Sequence, residues 1–240
     1  MITYNSMGKI LNRIVLLFAV LMLWNQSQAQ PERVLPNCPM HVVIALDFSA
    51  SERAFIDEIQ TVLLALTSRF ELHPNSLRIG LVSFNRGAQV ILPLTGSTDS
   101  LELAINALRI PMNVYATDIH AGIELGYDIF RRHSLESVPK FFVLVSDGDP
   151  HAHGRGFGFR QDLIQAEKLR NGDLTGKVDP VHVFSIYSGR VTPYRDPIRE
   201  DVRIASILHL QALSSGEGSF FYFEDYPELV NLLEQLSSCL

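Results

Sequence analysis

The sequence predicts one α/β domain in which a doubly wound, mostly parallel six-stranded sheet carries helices on both faces. Short apolar segments of strand length alternate with longer amphipathic segments of helical period. Residues 41–47 and 140–146 are polar only at their ends, which is typical of parallel strands buried on both faces. Strands separated by helices are joined by right-handed crossovers, and these crossovers cover both faces of the sheet.

The six strands are predicted from apolar runs and from turn-forming residues between them. The tripeptide Asn85-Arg86-Gly87 separates the second strand from the third, and so short a turn-forming segment indicates a hairpin. We therefore expect one edge strand of the sheet to run antiparallel. The strands are expected at residues 41–48, 77–84, 88–94, 140–146, 181–187 and 219–224.

The helices are predicted from apolar residues that recur at intervals of three or four. In the first helix this stripe consists of Phe55, Ile59, Val62 and Leu66. In the third helix the expected inward face consists of Ile119, Ile123, Gly126, Tyr127 and Phe130. The helices are expected at residues 52–68, 100–108, 117–132, 161–171, 202–213 and 227–236.

Residues 1–29 have the pattern of a secretory signal peptide. Lys9 and Arg13 precede an apolar run at residues 14–24, and the small residues Ser27 and Ala29 follow it. We expect cleavage after Ala29, which would leave residues 30–240 as one secreted domain, extracellular or, in a bacterium, periplasmic or on the cell surface. A retained membrane anchor is the alternative, but a membrane span needs about 20 apolar residues. After cleavage, no membrane span is expected in the mature domain.

Charge and cysteine content narrow the classes of function. The net charge of −6 argues against a nucleic-acid partner, because phosphate contacts need clustered lysine and arginine. The chain has two cysteines, Cys38 and Cys239, near the two ends of the expected mature domain. In an exported protein the simplest interpretation is one disulfide between them, and two free thiols are the alternative.

Three segments carry oxygen-bearing side chains where strands meet helices. Asp47 lies at the end of the first strand, and Ser49 and Ser51 follow it. Thr117 opens the third helix, and Asp147 follows the fourth strand. If the first and fourth strands are neighbours, these side chains meet at the carboxyl edge of the sheet, where open α/β sheets build their sites. Carboxylate and hydroxyl oxygens are suitable ligands for Mg²⁺.

The order and spacing of these residues resemble the metal-ion-dependent adhesion site of von Willebrand factor type A domains. That family has a Rossmann-like sheet and includes integrin I domains and matrilins, and the resemblance covers about residues 38–239. It implies a secreted adhesion or matrix module without catalytic activity, in which the aspartate or glutamate of a partner protein completes the metal's coordination. The implied ligands of Mg²⁺ or Mn²⁺ are Asp47, Ser49, Ser51, Thr117 and Asp147.

Two loops are expected to flank this site and to contact the partner. Both combine glycine with aromatic and cationic residues, which are frequent anchors of protein interfaces. The alternative is that both are ordinary exposed loops. His151 and His153 could bind a softer metal, but without a third ligand this pattern is weak. The candidate contact residues are His151, His153, Arg155, Phe157, Arg190 and Tyr194.

Each motif also has a purely structural interpretation. Ser49 and Glu52 fit a capping box, Thr117 fits a helix N-cap, and Asp147-Gly148 fits a turn. A matrix or surface module with a non-functional metal site is therefore one alternative.

An exported phosphohydrolase with Asp47 as nucleophile is the other alternative. Such enzymes usually carry a second acid two residues further on, and that position is Ser49 here. The sequence also lacks the Gly-x-Ser-x-Gly motif of serine hydrolases.

Overall fold

The computed structural model describes residues 38–112, 116–135, 137–148, 158–172 and 179–237. Within these ranges the strands are β1 (Met40–Asp47), β2 (Leu77–Phe84), β3 (Ala88–Thr95), β4 (Lys140–Ser146), β5 (Val181–Tyr187) and β6 (Phe220–Tyr222). The helices are α1 (Ile56–Arg69), α2 (Thr98–Asn106), α3 (Ile119–His133), α4 (Gly158–Asn171), α5 (Pro197–Leu213) and α6 (Tyr226–Ser237).

The strands form one six-stranded sheet in the order β3-β2-β1-β4-β5-β6. Only the edge strand β3 is antiparallel to its neighbour in this sheet, and it follows the predicted hairpin. All eight residues of β1 are buried, which fits its central position between β2 and β4. The predicted fold class is confirmed. The first and fourth strands are neighbours, which is the condition for the three oxygen-bearing segments to meet.

Side chains of alternating strand residues enter two separate apolar layers, as the period of two requires. Met40, Val42, Ile44 and Leu46 pack on one face of the sheet with α1, α2 and α6. Val43 and Ala45 pack on the other face with α3, α4 and α5. The five inward residues predicted for α3 are all buried.

Several element boundaries differ from the sequence-based prediction. A short 3₁₀ helix, Ser51–Phe55, precedes α1. Helix α5 begins five residues earlier than predicted, because Asp196 accepts hydrogen bonds from the backbone of Ile198 and Arg199 and Pro197 occupies the first turn. Strand β6 is shorter than predicted, since the chain turns into a second 3₁₀ helix at Phe223–Asp225.

The amino-terminal and carboxyl-terminal ends of the described domain lie together. The backbone N–H of Cys38 donates to the carbonyl of Ser237 at 3.1 Å. Cys239 and the predicted signal peptide lie outside the described residues, so the disulfide and the cleavage site stay predictions. Among the helices that the structure describes, none is long and apolar enough to cross a membrane.

Two glycines let α3 lie unusually close to the sheet. A Cβ atom at Gly122 would lie 2.7 Å from the ring of Phe84, and one at Gly126 would lie 2.2 Å from the ring of Phe142. Phe84 and Phe142 are fully buried and have little room to move. These contacts fix the position of α3 and of the residues that precede it.

We expect Gly126→Ala to lower the free energy of unfolding by about 1–3 kcal/mol, the usual cost of adding atoms to a filled core. Urea denaturation followed by circular dichroism measures this change. Gly87→Ala is the control, because a Cβ atom there would have nothing within 4 Å. Equal stability of Gly126→Ala and the wild type would contradict the close packing of α3.

Candidate metal centre

Asp47 is the last residue of β1, and its carboxylate is almost completely buried. Its Oδ1 accepts a hydrogen bond from the backbone N–H of Ser49 at 2.8 Å. Its Oδ2 accepts a hydrogen bond from the hydroxyl of Ser146 at 2.7 Å. The carboxylate is therefore held in one orientation by a local contact and by a contact with the neighbouring strand.

The hydroxyls of Ser49 and Ser51 lie beside each other, with their Oγ atoms 2.9 Å apart. Ser49 is buried and Ser51 is exposed, so the pair extends from the interior to the surface. Ser49 does not form the capping box: the N-cap of the following 3₁₀ helix is Ala50, without a side-chain cap. That structural interpretation of Ser49 is wrong.

Glu52 is the member of this cluster that sequence reasoning missed. Its side chain is fully buried, and its Oε1 accepts a hydrogen bond from the hydroxyl of Ser188 at 2.6 Å. Oxygen atoms of Asp47, Glu52 and Asp147 all lie within 4.8 Å of one another. Glu52 could have been found as an acidic residue directly after Ser51. The capping-box interpretation gave it only a local role at the start of the helix.

Asp147 enters the cluster because β4 lies next to β1, with Val145 paired to Leu46. The chain turns directly after it at Gly148, which has a φ of 75° and donates its backbone N–H to Ser146 Oγ at 3.0 Å. A Cβ atom at Gly148 would lie 2.7 Å from the carbonyl oxygen of Ser206. The turn predicted at Asp147-Gly148 is present, and it leaves Asp147 partly exposed beside Asp47.

Thr117 is buried directly before α3. The N-cap of that helix is Asp118, whose Oδ1 accepts from the backbone N–H of Ala121 at 3.0 Å. The backbone N–H of Asp118 donates to the carbonyl of Asn85 at 2.7 Å, which ties this segment to the β2–β3 hairpin. The interpretation of Thr117 as the N-cap is therefore wrong, and its hydroxyl is not used for capping.

The clustered carboxyl groups are difficult to ionise together. Burial raises the pKa of Asp47 from 3.8 to about 7, and the negative charge of Asp147 adds to this effect. Burial, with the charges of Asp147 and Asp47, also raises the pKa of Glu52 well above its ordinary value. Hydrogen bonds from Ser146, Ser49 and Ser188 oppose these shifts without cancelling them.

A hard divalent cation fits this set of donors. Carboxylate and hydroxyl oxygens are the ligands that such ions prefer, and a positive charge here would favour the ionised carboxylates. Asp47, Ser49, Ser51 and Asp147 could offer oxygens to one ion, and Glu52 adds a further acceptor beside them.

The match to known families agrees with this geometry. The sequence model of the von Willebrand factor type A domain matches residues 41–235. The chain belongs to this family. The type A domain thus occupies nearly all of the part of the chain that the structure describes.

The chain is also similar to curated proteins and to solved structures. Human Matrilin-4 is 26% identical over 193 residues, which is 70% of this chain and 30% of the relative. The chain thus spans about a third of the length of the curated relatives that it matches. A solved structure similar to this chain is that of proximal thread matrix protein 1 from the mussel byssus, with a zinc-occupied metal-ion-dependent adhesion site (MIDAS) motif. It has a TM-score of 0.59 and 17% identity, and the match covers 83% of this chain and 46% of that one.

A second solved structure similar to this chain is that of manganese-loaded TRAP protein from Plasmodium vivax. It has a TM-score of 0.59 and 15% identity, and the match covers 83% of this chain and 74% of that one. At this level of identity the two solved structures establish the shared fold.

The predicted partner-binding residues divide into two groups. His151, His153, Arg155 and Phe157 lie outside the described residues. Arg190 and Tyr194 lie together, with the guanidinium carbon 4.9 Å from the centre of the ring. Both line a cleft of about 370 Å³ that also reaches Ser51 and Asp147, beside the carboxylate cluster.

In metal-free protein we expect the free energy of unfolding to fall as the pH rises from about 4 to about 7. The folded state holds a proton on Asp47 up to a pKa of about 7, whereas the unfolded chain releases it near 3.8. The folded state therefore binds more protons in this window, and its relative stability decreases with pH. Denaturant titrations in chelator at several pH values measure the slope.

The matched variant for this measurement is Asp47→Asn, which keeps the size of the side chain and removes the titrating group. Its stability should fall less steeply over the same window. Identical slopes for this variant and the wild type would contradict the raised pKa of Asp47.

Proposed function

We propose that this chain is a secreted, metal-dependent protein-binding module of the adhesion or extracellular-matrix type. Mg²⁺ or Mn²⁺ would be held by Asp47, Ser49, Ser51, Thr117 and Asp147. The observation that carries the proposal is the cluster of three carboxylates within 4.8 Å of one another, beside two hydroxyls 2.9 Å apart. This cluster lies at the carboxyl edge of the sheet, next to an open cleft.

The chemistry of the donors supports recognition of an acidic partner. Three of the five proposed ligands are neutral hydroxyls, so the protein neutralises a divalent ion here less than a set of five carboxylates would. Ser51 is exposed and Asp147 is partly exposed, so the site opens to the surface. An aspartate or glutamate of a partner protein would then supply a further oxygen ligand, which Mg²⁺ accepts readily.

Export and closure by a disulfide are part of the same proposal. Cleavage after Ala29 would release residues 30–240 into an oxidising compartment, extracellular or, in a bacterium, periplasmic or at the cell surface. The hydrogen bond between Cys38 and Ser237 supports a link between Cys38 and Cys239, since Ser237 lies two residues before Cys239.

A binding role fits the cluster better than hydrolysis. The residue two positions after Asp47 is Ser49, where phosphohydrolases of this kind usually carry a second acid. The mussel relative is itself named a thread matrix protein, which agrees with a role in assembly or adhesion. A matrix module with a non-functional metal site is the alternative that the next experiment tests.

We expect millimolar Mg²⁺ or Mn²⁺ to raise the thermal unfolding midpoint of the purified protein relative to chelator. Binding to the folded state alone stabilises it by mass action, by about 2.7 kcal/mol when the ion is at 100 times its dissociation constant. Differential scanning calorimetry measures the shift, which Asp47→Asn should abolish.

Asp118→Asn is the matched control for this shift. It makes the same chemical change close to the site, and asparagine is also a good N-cap residue. This variant should keep the metal-dependent rise. If the wild type showed no rise with either ion, the alternative of a module with a non-functional metal site would replace the proposal.

A further inference from the structure

The cleft beside the metal centre has a wall that metal binding does not use. It runs from Ser51 and Asp147 to the end of β5 and along the first three turns of α5. Its volume of about 370 Å³ falls in the range of sites that enclose a small ligand or a few side chains. The cleft and the metal site share two residues, so a group bound to the ion lies at the mouth of the cleft.

One part of this wall is apolar and exposed. Ile198 is 75% exposed and Val202 is 44% exposed, and the two lie one helical turn apart on α5. Phe55, from the 3₁₀ helix after the serine pair, also lines the cleft. Burying such side chains against a partner yields about 25 cal/mol for each Å² of apolar surface removed from water.

The other part of the wall is cationic, although the chain as a whole carries a net charge of −6. Arg190, Arg199 and Arg203 all line the cleft. Arg203 is paired with Glu200 at 2.6 Å, whereas Arg190 lies on the ring of Tyr194 and donates to Thr192 at 2.6 Å. Arg199 is exposed, and among the described residues its guanidinium makes no hydrogen bond or ion pair.

We propose that this cleft selects the partner by binding the residues that flank its metal-binding carboxylate. The preferred segment carries an apolar side chain, which packs on Ile198 and Val202, and a second acidic residue, which pairs with Arg199. This inference rests on the proposed function. The metal site alone would bind any accessible carboxylate, and the cleft adds a preference for the residues that flank it.

The dimensions of the cleft agree with a short extended segment. Ile198 and Val202 are four residues apart, which is about 6 Å along a helix with a rise of 1.5 Å per residue. An extended chain advances at most about 3.3–3.6 Å per residue. About two residues of an extended segment therefore span the distance between Ile198 and Val202, so one short segment can contact both side chains.

The test is selection from displayed peptides in which a central glutamate is fixed and the four residues on each side vary. The full-length protein, processed as it is secreted, is immobilised, and selection is made in millimolar Mg²⁺ and in chelator. In Mg²⁺ the wild type should enrich peptides with an apolar and a second acidic residue near the glutamate. Arg199→Glu should lose the second acidic preference, and Ile198→Ser should lose the apolar one.

A selected peptide should bind Arg199→Glu about two- to fivefold more weakly than it binds the wild type, as expected for loss of one exposed ion pair. Arg86→Glu is the matched control, because Arg86 is exposed on the β2–β3 hairpin, across the metal site from the cleft. It should bind the peptide as the wild type does.

Two results would overturn this inference while leaving the proposed function in place. One is enrichment of glutamate peptides in Mg²⁺ without any preference in the flanking residues. The other is an equal loss of affinity in Arg86→Glu and Arg199→Glu, which would indicate a general effect of charge. Absence of any Mg²⁺-dependent enrichment would instead defeat the proposed function, and this inference with it.

Discussion

Repulsion among three carboxylates at the end of the central strand is the constraint on which the rest of the site depends. Two charges 4.8 Å apart repel each other by roughly 3 kcal/mol at an effective dielectric constant of about 20. Asp47 accepts hydrogen bonds from Ser49 and Ser146, and Glu52 accepts one from Ser188. All three donors are neutral groups. Neutral donors orient the carboxylates but leave their charge in place, and a divalent cation would remove this repulsion.

The fold supplies the rigidity that so unfavourable an arrangement needs. Strand β1 is buried along its whole length and is bonded on both sides, so Asp47 cannot move away from its neighbours. Gly148 turns the chain away directly after Asp147, close to the backbone of α5. Gly122 and Gly126 hold α3 on the sheet, and α3 in turn fixes Thr117 at its start. Elements far apart in sequence thus converge at one edge.

Much of this architecture is visible in the sequence because it follows from local patterns. Strands β4 and β5 have the predicted bounds. Strand β4 is a continuous apolar run with polar ends, and β5 is a run rich in β-branched and aromatic residues. The hairpin and the inward face of α3 were predicted for the same reason, from turn residues and from helical period. The serine pair and Asp47 were found because they follow a strand that the pattern identifies clearly.

What the sequence did not reveal depends on contacts between distant residues. Glu52 looked like a capping residue, and its actual donor, Ser188, lies 136 positions away. Thr117 fitted the cap of α3 as an alternative to its assignment as a metal ligand, and the actual cap is Asp118. Neighbouring threonine and aspartate residues satisfy the same local rule. The early start of α5 could have been predicted from Asp196 followed by Pro197, a known combination at helix starts. The cleft could not be predicted from the sequence, because it forms only when β5, α5 and the metal site come together in space.

The most direct test of this account is a titration of the purified protein with Mn²⁺, with the free ion followed by electron paramagnetic resonance. We expect one ion to bind per chain in wild type, competition by Mg²⁺, and loss of binding in Asp47→Asn and Asp147→Asn. Undiminished Mn²⁺ binding in these two variants, or no binding by the wild type, would contradict the assignment of the carboxylate cluster as a metal centre.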